Sequence, residues 1–238
     1  MISTSKLCKT YGRGATATHA LKGIDLAVRP GEFVAIMGRS GSGKSTLLHL
    51  LGLLDKPSSG EIYLSGQNVA SFSEKQRAEF RLKRLGYVFQ EYSLVPELNL
   101  LENVSLPASF LGLQNSRQCR ESAFELLSRV GLEQRSQHYP AEASGGEQQR
   151  AAIARALVNH PGILFADEPT ASLDVASART ILELFRQLNR ELEQTIVMVT
   201  HEPEDRKYVD RVVWLSDGRV EIDEEQTGLV SSTVLTGN

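Results

Sequence analysis

The stretch Phe33-Val34-Ala35-Ile36-Met37-Gly38-Arg39-Ser40-Gly41-Ser42-Gly43-Lys44-Ser45-Thr46-Leu47-Leu48-His49-Leu50-Leu51 decides the fold. Its apolar opening reads as a strand, the glycine-rich middle as a loop, and the leucine-rich end as a helix. The spacing G-x-x-x-x-G-K-[ST] from Gly38 to Ser45 is a P-loop, and a strand before it with a helix after it is the setting that pattern requires. Glycine lacks the Cβ that would hold the backbone away from a polyphosphate, so successive N–H groups of this loop can curl round phosphate oxygens. A helix beginning near Gly43 adds unpaired N–H groups and the positive end of its dipole. Lys44 would supply a mobile charge to the β- and γ-phosphates, and the Ser45 hydroxyl a hard oxygen ligand to Mg²⁺. The plainer reading, a serine- and glycine-rich surface turn, ignores the strand and helix on either side.

Two further apolar runs end in polar side chains. Gly162-Ile163-Leu164-Phe165-Ala166 leads into Asp167-Glu168-Pro169, and Thr195 to Thr200 leads into His201-Glu202-Pro203. Runs this continuous belong to strands buried on both faces, where terminal carboxylates are costly unless they face a site. Three buried strands ending in the P-loop, in Asp167-Glu168 and in His201 describe an open parallel sheet with its ligand at the carboxyl ends. Asp167 is suited to hold Mg²⁺ directly or through water, and Glu168 to polarise or deprotonate an attacking water. The two carboxylates repel each other without a metal, so ATP binding is expected to need Mg²⁺. The alternative for Glu168 is a strand-end residue paired with a lysine or arginine.

Toward the N-terminus, residues 2–9 and 21–28 read as short strands, with Gly12-Arg13-Gly14 between them and the turn Pro30-Gly31 after them. Tyr11 is either a packed edge aromatic or a residue that stacks on a base, and position alone favours packing. After the P-loop helix, Pro57-Ser58-Ser59-Gly60 is a turn cluster and Glu61-Ile62-Tyr63-Leu64 a strand ending at Ser65-Gly66. Ser73 with Gln76 forms a capping-box pattern for a helix running to about Leu85. Gly86-Tyr87-Val88-Phe89 is a strand that ends in Gln90, either a site residue or a simple strand-end amide. From Glu91 to about His160 the strands stop: Asn99 with Glu102 caps a helix, residues 116–130 are amphipathic, and residues 145–158 form a helix rich in alanine. This all-helical insert is expected to form a second lobe. Helix 175–192 places Val175, Ala178, Leu182, Phe185 and Leu192 on one stripe. Residues 211–215 and 219–222 form a hairpin about Asp217-Gly218, and residues 224–238 read as a polar tail.

Composition narrows the class. The formal net charge of -3 over 238 residues gives no global reason to expect nucleic acid as a partner. The one dense basic run, Lys75 to Arg84, includes Glu79 and follows Glu74, and reads as a solvated helix face. Cys8 and Cys119 lack paired metal spacing, which suits a reducing compartment. The start of the chain lacks the apolar core of a signal peptide, and no segment approaches the ~20 apolar residues of a membrane helix. A soluble cytoplasmic protein that sits on a membrane partner is the expectation.

Ser144-Gly145-Gly146-Glu147-Gln148-Gln149-Arg150 resembles the signature motif of the ATP-binding-cassette (ABC) ATPases. The family's other motifs follow in order: Tyr11 at the adenine-stacking position, Gln90 as the Q-loop glutamine, Ser172-Leu173-Asp174 as the D-loop, and His201 as the switch histidine. The similarity covers residues 1 to about 223. It implies an α/β fold, a P-loop NTPase with an N-terminal antiparallel β region and an inserted all-helical subdomain. Residues 1–90 and 161–223 would form the RecA-like ATP-binding core, and 91–160 the helical subdomain with the signature motif. The resemblance implies a catalytic set of Glu168, His201, Lys44 and Gln90, and metal contacts from Ser45, Gln90 and Asp167. ATP would be held by Tyr11, Gly38, Ser40, Gly41, Ser42, Gly43, Lys44, Ser45, Thr46 and Gln90 of one copy and Ser144, Gly145, Gly146 and Asp174 of another. Two copies would face head to tail and close on ATP, with Gln90 coupling the γ-phosphate to a helical lobe that grips a permease. His201 would hydrogen-bond the γ-phosphate. Ala143 stands where the family usually has leucine, and Arg39 where a small residue or proline is usual; neither change removes a catalytic group.

Residues 85–90, Leu94-Val95-Pro96-Glu97-Leu98, Glu102-Asn103-Val104 and the run 52–60 resemble the macrolide-exporter, lipoprotein-release and heterocyst-glycolipid-exporter group. That resemblance implies a chain at the cytoplasmic face of a bacterial inner membrane, with permease partners that have four membrane helices and a large extracytoplasmic domain, and a periplasmic adaptor as a further partner. Export or extraction of a lipid, lipoprotein, peptide or drug is implied. A regulatory ATPase acting through a membrane protein on cell-wall hydrolases, and an importer ATPase, share these motifs. Soluble cassettes of translation or DNA repair carry a second cassette or a long coiled coil, and a GTPase needs an Asn-Lys-x-Asp motif; this sequence has none of these.

Overall fold

The structure, a computed structural model, describes residues 1–226. β1 (Ile2–Tyr11), β2 (Thr18–Val28), β4 (Ser59–Leu64) and β5 (Gln67–Asn68) form an antiparallel sheet in the order β2-β1-β4-β5. β3 (Phe33–Met37), β6 (Leu85–Val88), β7 (Ile163–Asp167), β8 (Thr195–Val199), β9 (Arg211–Ser216) and β10 (Arg219–Glu225) form the second sheet, ordered β10-β9-β3-β8-β7-β6. Its pairs are parallel except for β9 with β10. The helices are α1 (Lys44–Leu51), α2 (Glu74–Arg84), α3 (Leu100–Leu111), α4 (Ser116–Arg129), α5 (Gly145–Leu157) and α6 (Val175–Leu192).

β3 and β8 are buried at every position, as strands covered on both faces must be. Alternation splits β3 between two cores. Phe33, Ala35 and Met37 join α3, α4, α5 and α6, while Val34 and Ile36 join α1 and the antiparallel sheet. One apolar cluster therefore runs without a break from the sheet into the helices of residues 100–157. Capping boxes open α2 at Ser73/Gln76, α3 at Asn99/Glu102, α4 at Asn115/Gln118 and α5 at Ser144/Glu147, each worth about 1 kcal/mol.

Several expectations change. β1 and β2 reach Tyr11 and Thr18, beyond the short strands read from the sequence, because their ladder continues to the pair Tyr11↔Thr18. β4 begins at Ser59, inside the expected turn cluster, because β1 offers a partner there at Cys8. β10 continues to Glu225, two residues into the expected tail, because β9 supplies partners at Val212 and Arg211. Residues 227–238 of that tail lie outside the described residues. In α6 the buried set is Ile181, Leu182, Leu184, Phe185 and Leu188, whereas Val175 is 89% exposed and Leu192 lies at the solvent edge. The first and last turns of this helix stay open to solvent, and only its middle packs into the core. Arg77, read as part of a solvated face, is 2% exposed and donates to Leu53 O (2.8 Å) and Asp55 O (2.6 Å), pinning the turn after α1. Among the described residues, no helix is long and apolar enough to cross a membrane.

Candidate functional site

α1 starts directly on the P-loop. Its N-cap Gly43 has φ 105° and no side chain to accept from the first N–H groups, which are left for an outside acceptor. A Cβ on Gly43 would lie 2.6 Å from Ala20 O and 2.9 Å from Leu21 Cδ2, so β2 is pressed against the loop. On the other side, Gly218 N–H donates to Ser42 O (3.0 Å) and Lys22 N–H to Gly218 O (2.8 Å). The loop is thus clamped between the antiparallel sheet and the β9–β10 turn. Lys44 is buried and its ammonium donates to Gly38 O (2.9 Å) and Arg39 O (3.1 Å). Ser42 Oγ is buried without a hydrogen-bond partner. An uncapped helix start, a buried cation and an orphaned hydroxyl fit a phosphate chain.

β3, β8 and β7 are neighbours, so their carboxyl ends bring the P-loop, His201 and Asp167-Glu168 to one edge of the sheet. Ser45 Oγ–H donates to Asp167 Oδ1 at 3.2 Å, and His49 Nε2 lies 3.4 Å from Asp167 Oδ2. Two hard oxygens side by side suit Mg²⁺, which completes its shell with phosphates and water. Glu168 has φ 43°, a left-handed backbone for a non-glycine residue, and its N–H is tied to Val199 O at 2.9 Å. Its Oε2 lies 3.2 Å from His201 Nδ1, and His201 Nε2 lies 3.2 Å from Glu202 Oε1. The partner of Glu168 is a histidine just past the end of β8, not the lysine or arginine of the plainer reading. Below His201, the Thr200 hydroxyl donates to Asp205 Oδ2 (2.5 Å) and accepts from Glu202 N–H (3.0 Å), bracing the turn.

These residues border a cleft of about 700 Å³. Gly38, Ser40, Gly41, Gly43, Lys44, Ser45, Thr46, Glu168 and His201 line one part of it. Thr18, His19, Ala20, Arg39, Pro203, Trp214, Asp217 and Gly218 line the rest, and the sequence singled out none of them as site residues. The Asp-Gly turn was legible as a turn, but only the approach of Gly218 to Ser42 makes it part of the cleft.

The remaining predicted residues lie outside that lining. The Tyr11 hydroxyl donates to Asp55 Oδ2 (2.9 Å) and the Lys9 ammonium stands 4.8 Å from its ring centre, while the ring stays 42% exposed. Burial raises the pKa of its hydroxyl; Thr46 opposes the shift, and Asp55 adds to it. Gln90 is exposed two residues past β6, not at the strand's end. Ser144 caps α5 and Asp174 caps α6 through Ser177 N–H (3.0 Å). A Cβ on Gly145 would meet the Tyr92 hydroxyl at 2.8 Å and Leu173 Cδ2 at 3.3 Å. The Gln149 amide donates to Pro169 O at 2.7 Å, tying α5 to the segment behind Glu168.

The sequence pattern of the ABC transporter family matches residues 21–171. The lipoprotein-releasing system ATP-binding protein LolD of Xanthomonas campestris is 46% identical over 92% of this chain and 92% of its own length. The macrolide export ATP-binding/permease protein MacB of Syntrophobacter fumaroxidans is 44% identical over 96% of this chain, which spans only 32% of that protein. The dimeric structure of a post-hydrolysis state of the ATP-binding cassette MJ0796, bound to ADP and Pi, superposes with a TM-score of 0.88 at 41% identity, covering 96% of this chain and 100% of that one. The chain belongs to the ABC transporter family, as one of its ATP-hydrolysing ATP-binding subunits.

Proposed function

We propose that two copies of this chain close head to tail on two ATP molecules with Mg²⁺ and use hydrolysis to drive a membrane permease. One observation carries the pairing. The P-loop, Glu168 and His201 border one cleft, whereas Ser144, Gly145 and Gly146 lie outside it, so this second glycine-rich helix start meets phosphate from another copy. The related cassette bound to ADP and Pi is itself dimeric.

In this reading Lys44 and the N–H groups at the start of α1 hold the β- and γ-phosphates, and Tyr11 offers its open ring face to the adenine. Ser45, Asp167 and Gln90 would hold the metal, which would offset phosphate charge and let the two neighbouring carboxylates stand beside a polyphosphate. Glu168 orients and takes a proton from the attacking water. His201 turns from Glu168 toward the γ-phosphate, and Asp174 of the partner completes the closed site. Gln90 transmits the state of the γ-phosphate to the helical lobe of residues 91–160, which moves against the core of residues 1–90 and 161–223.

A second cavity, of about 340 Å³, lies along that division. Leu54, Leu85, Tyr87, Phe89 and Pro107 give it an apolar floor, and Arg81 and Arg155 add positive charge. It suits one amphipathic helix of a permease. In keeping with its LolD and MacB relatives, the chain would sit at the cytoplasmic face of a bacterial inner membrane, on a permease with four membrane helices and a large extracytoplasmic domain. The cargo class would be a lipid, lipoprotein, peptide or drug. Affinity purification of the tagged chain from native membranes in mild detergent, with mass spectrometry, tests this. Recovery of such a permease supports the assignment, and a many-helix importer subunit or only soluble partners overturns it.

A further inference from the structure

Away from the cleft, Arg155 stands on the last turn of α5. Its guanidinium donates to Tyr92 O through Nη2 at 2.8 Å and to Ser93 O through Nη1. Among the described residues no carboxylate lies within ion-pair reach of it, and burial pushes its pKa down. A charged group withdrawn from water and given only backbone carbonyls is costly unless those carbonyls need it.

They belong to an unusual piece of backbone. Tyr92 has φ 53° and Ser93 φ 51°, two consecutive non-glycine residues in the left-handed region. Ser93 N–H turns back onto Glu91 O, closing a three-residue turn about Tyr92. Side chains disfavour this conformation, and it persists only where the surroundings hold it. The Tyr92 hydroxyl reaches the start of α5, where a Cβ on Gly145 would fall 2.8 Å from it. The turn that follows Gln90 is thus fixed at both ends of one helix, by Arg155 at its last turn and by Gly145 at its first.

We propose that Arg155 is a positioning residue for ATP hydrolysis, holding the Tyr92–Ser93 turn left-handed and thereby setting the segment of Gln90 against the signature motif. The effect on turnover rests on the reading of Gln90 as phosphate-facing. Arg155 also lines the groove assigned to the permease helix, so an occupant there would press on the same side chain.

The test uses the full chain and steady-state kinetics with MgATP for Arg155→Lys, Ser93→Gly and the double variant. Arg155→Lys is expected to lower kcat about ten-fold with KM changed by less than about two-fold, because the turn and not the nucleotide contact is lost. Ser93→Gly alone is expected to keep kcat near the wild-type value, since glycine adopts a positive φ freely, and to restore most of the loss when added to Arg155→Lys. A purely structural arginine would not be rescued by a glycine on another segment, so additive effects overturn the proposal. Should Arg155→Lys fail to fold, Ser93→Val burdens the same left-handed position and leaves Arg155 and the core intact; a lower kcat supports the proposal and a wild-type kcat overturns it. Gln90→Ala is measured alongside. A wild-type rate in that variant with the glycine rescue intact removes the reading of Gln90 and leaves the Arg155 latch standing. A lost rate without rescue removes the latch and leaves Gln90.

Discussion

Glu168 and His201 face each other just past the ends of the adjacent strands β7 and β8, with Glu168 Oε2 3.2 Å from His201 Nδ1, and both side chains border the cleft above the P-loop. In the proposed mechanism this carboxylate takes a proton from the attacking water, a role the neutral amide cannot perform. Glu168→Gln is isosteric and keeps the fold, so turnover is expected to fall at least about 100-fold while ATP still binds. With hydrolysis blocked, the closed pair should persist, and light scattering in saturating MgATP should find dimer. Monomer alone, with occupancy proven, would sink the head-to-tail mechanism.

Lys44 folds under the loop, where its ammonium donates to Gly38 O and Arg39 O. The cation holds the loop's shape, and in the proposed function its charge serves the phosphates as well. Lys44→Ala removes charge-assisted hydrogen bonds as well as the charge, and ATP affinity is expected to fall about 100-fold or more. Titration with a fluorescent nucleotide measures this, with unfolding in urea as control. Unchanged affinity with lowered stability would make Lys44 a scaffold residue only.

The strand, P-loop and helix of residues 33–51 were legible because local residue types fix each piece of backbone. The capping pairs at Ser73 and Asn99 were legible for the same reason. What could not be read came from contacts between distant segments. Arg77 belongs to a charged helix in sequence, yet α1 and the turn after it surround its guanidinium. Val175 fits the helical period of α6 but stands open to solvent on its first turn, which no periodicity reveals. Thr18, His19, Ala20 and the Asp217-Gly218 turn line the cleft only because β2 and the β9–β10 turn close on the P-loop.

Asp205 carries a pH signature. Burial raises its pKa above the ordinary carboxylate range, and Glu202 and Glu204 add to this, while the Thr200 hydroxyl and His201 oppose it. The folded chain therefore holds this proton to higher pH than the unfolded chain does. Stability is lost as pH rises from the unfolded value, about 4, through the raised folded value. Asp205→Asn keeps an acceptor for the Thr200 hydroxyl and removes the titration. Its stability relative to wild type is expected to climb as pH rises through that window and then to level off. Urea midpoints measured from about pH 4 to pH 7 check this, and a difference that does not change with pH would show that Asp205 is not the source.

Gly218 has φ 72°, and a Cβ there would lie 2.6 Å from Ala20 O, the carbonyl that a Cβ on Gly43 would also meet at 2.6 Å. Its N–H and C=O link Ser42 O to Lys22 N–H, so this one residue joins the P-loop, the turn and β2. Gly218→Ala adds a left-handed backbone penalty to a clash with a main-chain oxygen that has no room to yield. A loss of about 2–4 kcal/mol in stability is expected. The KM for MgATP should rise as well, because relieving the clash moves the turn away from Ser42 and loosens the loop that cradles phosphate. Gly66→Ala is the control, since Gly66 also has positive φ (81°) but an added Cβ meets nothing within 4 Å. That variant should lose about 1 kcal/mol, from backbone conformation alone, and keep its KM. Equal effects of the two substitutions would mean that backbone conformation, and not the contact between Gly218 and Ala20, sets the result.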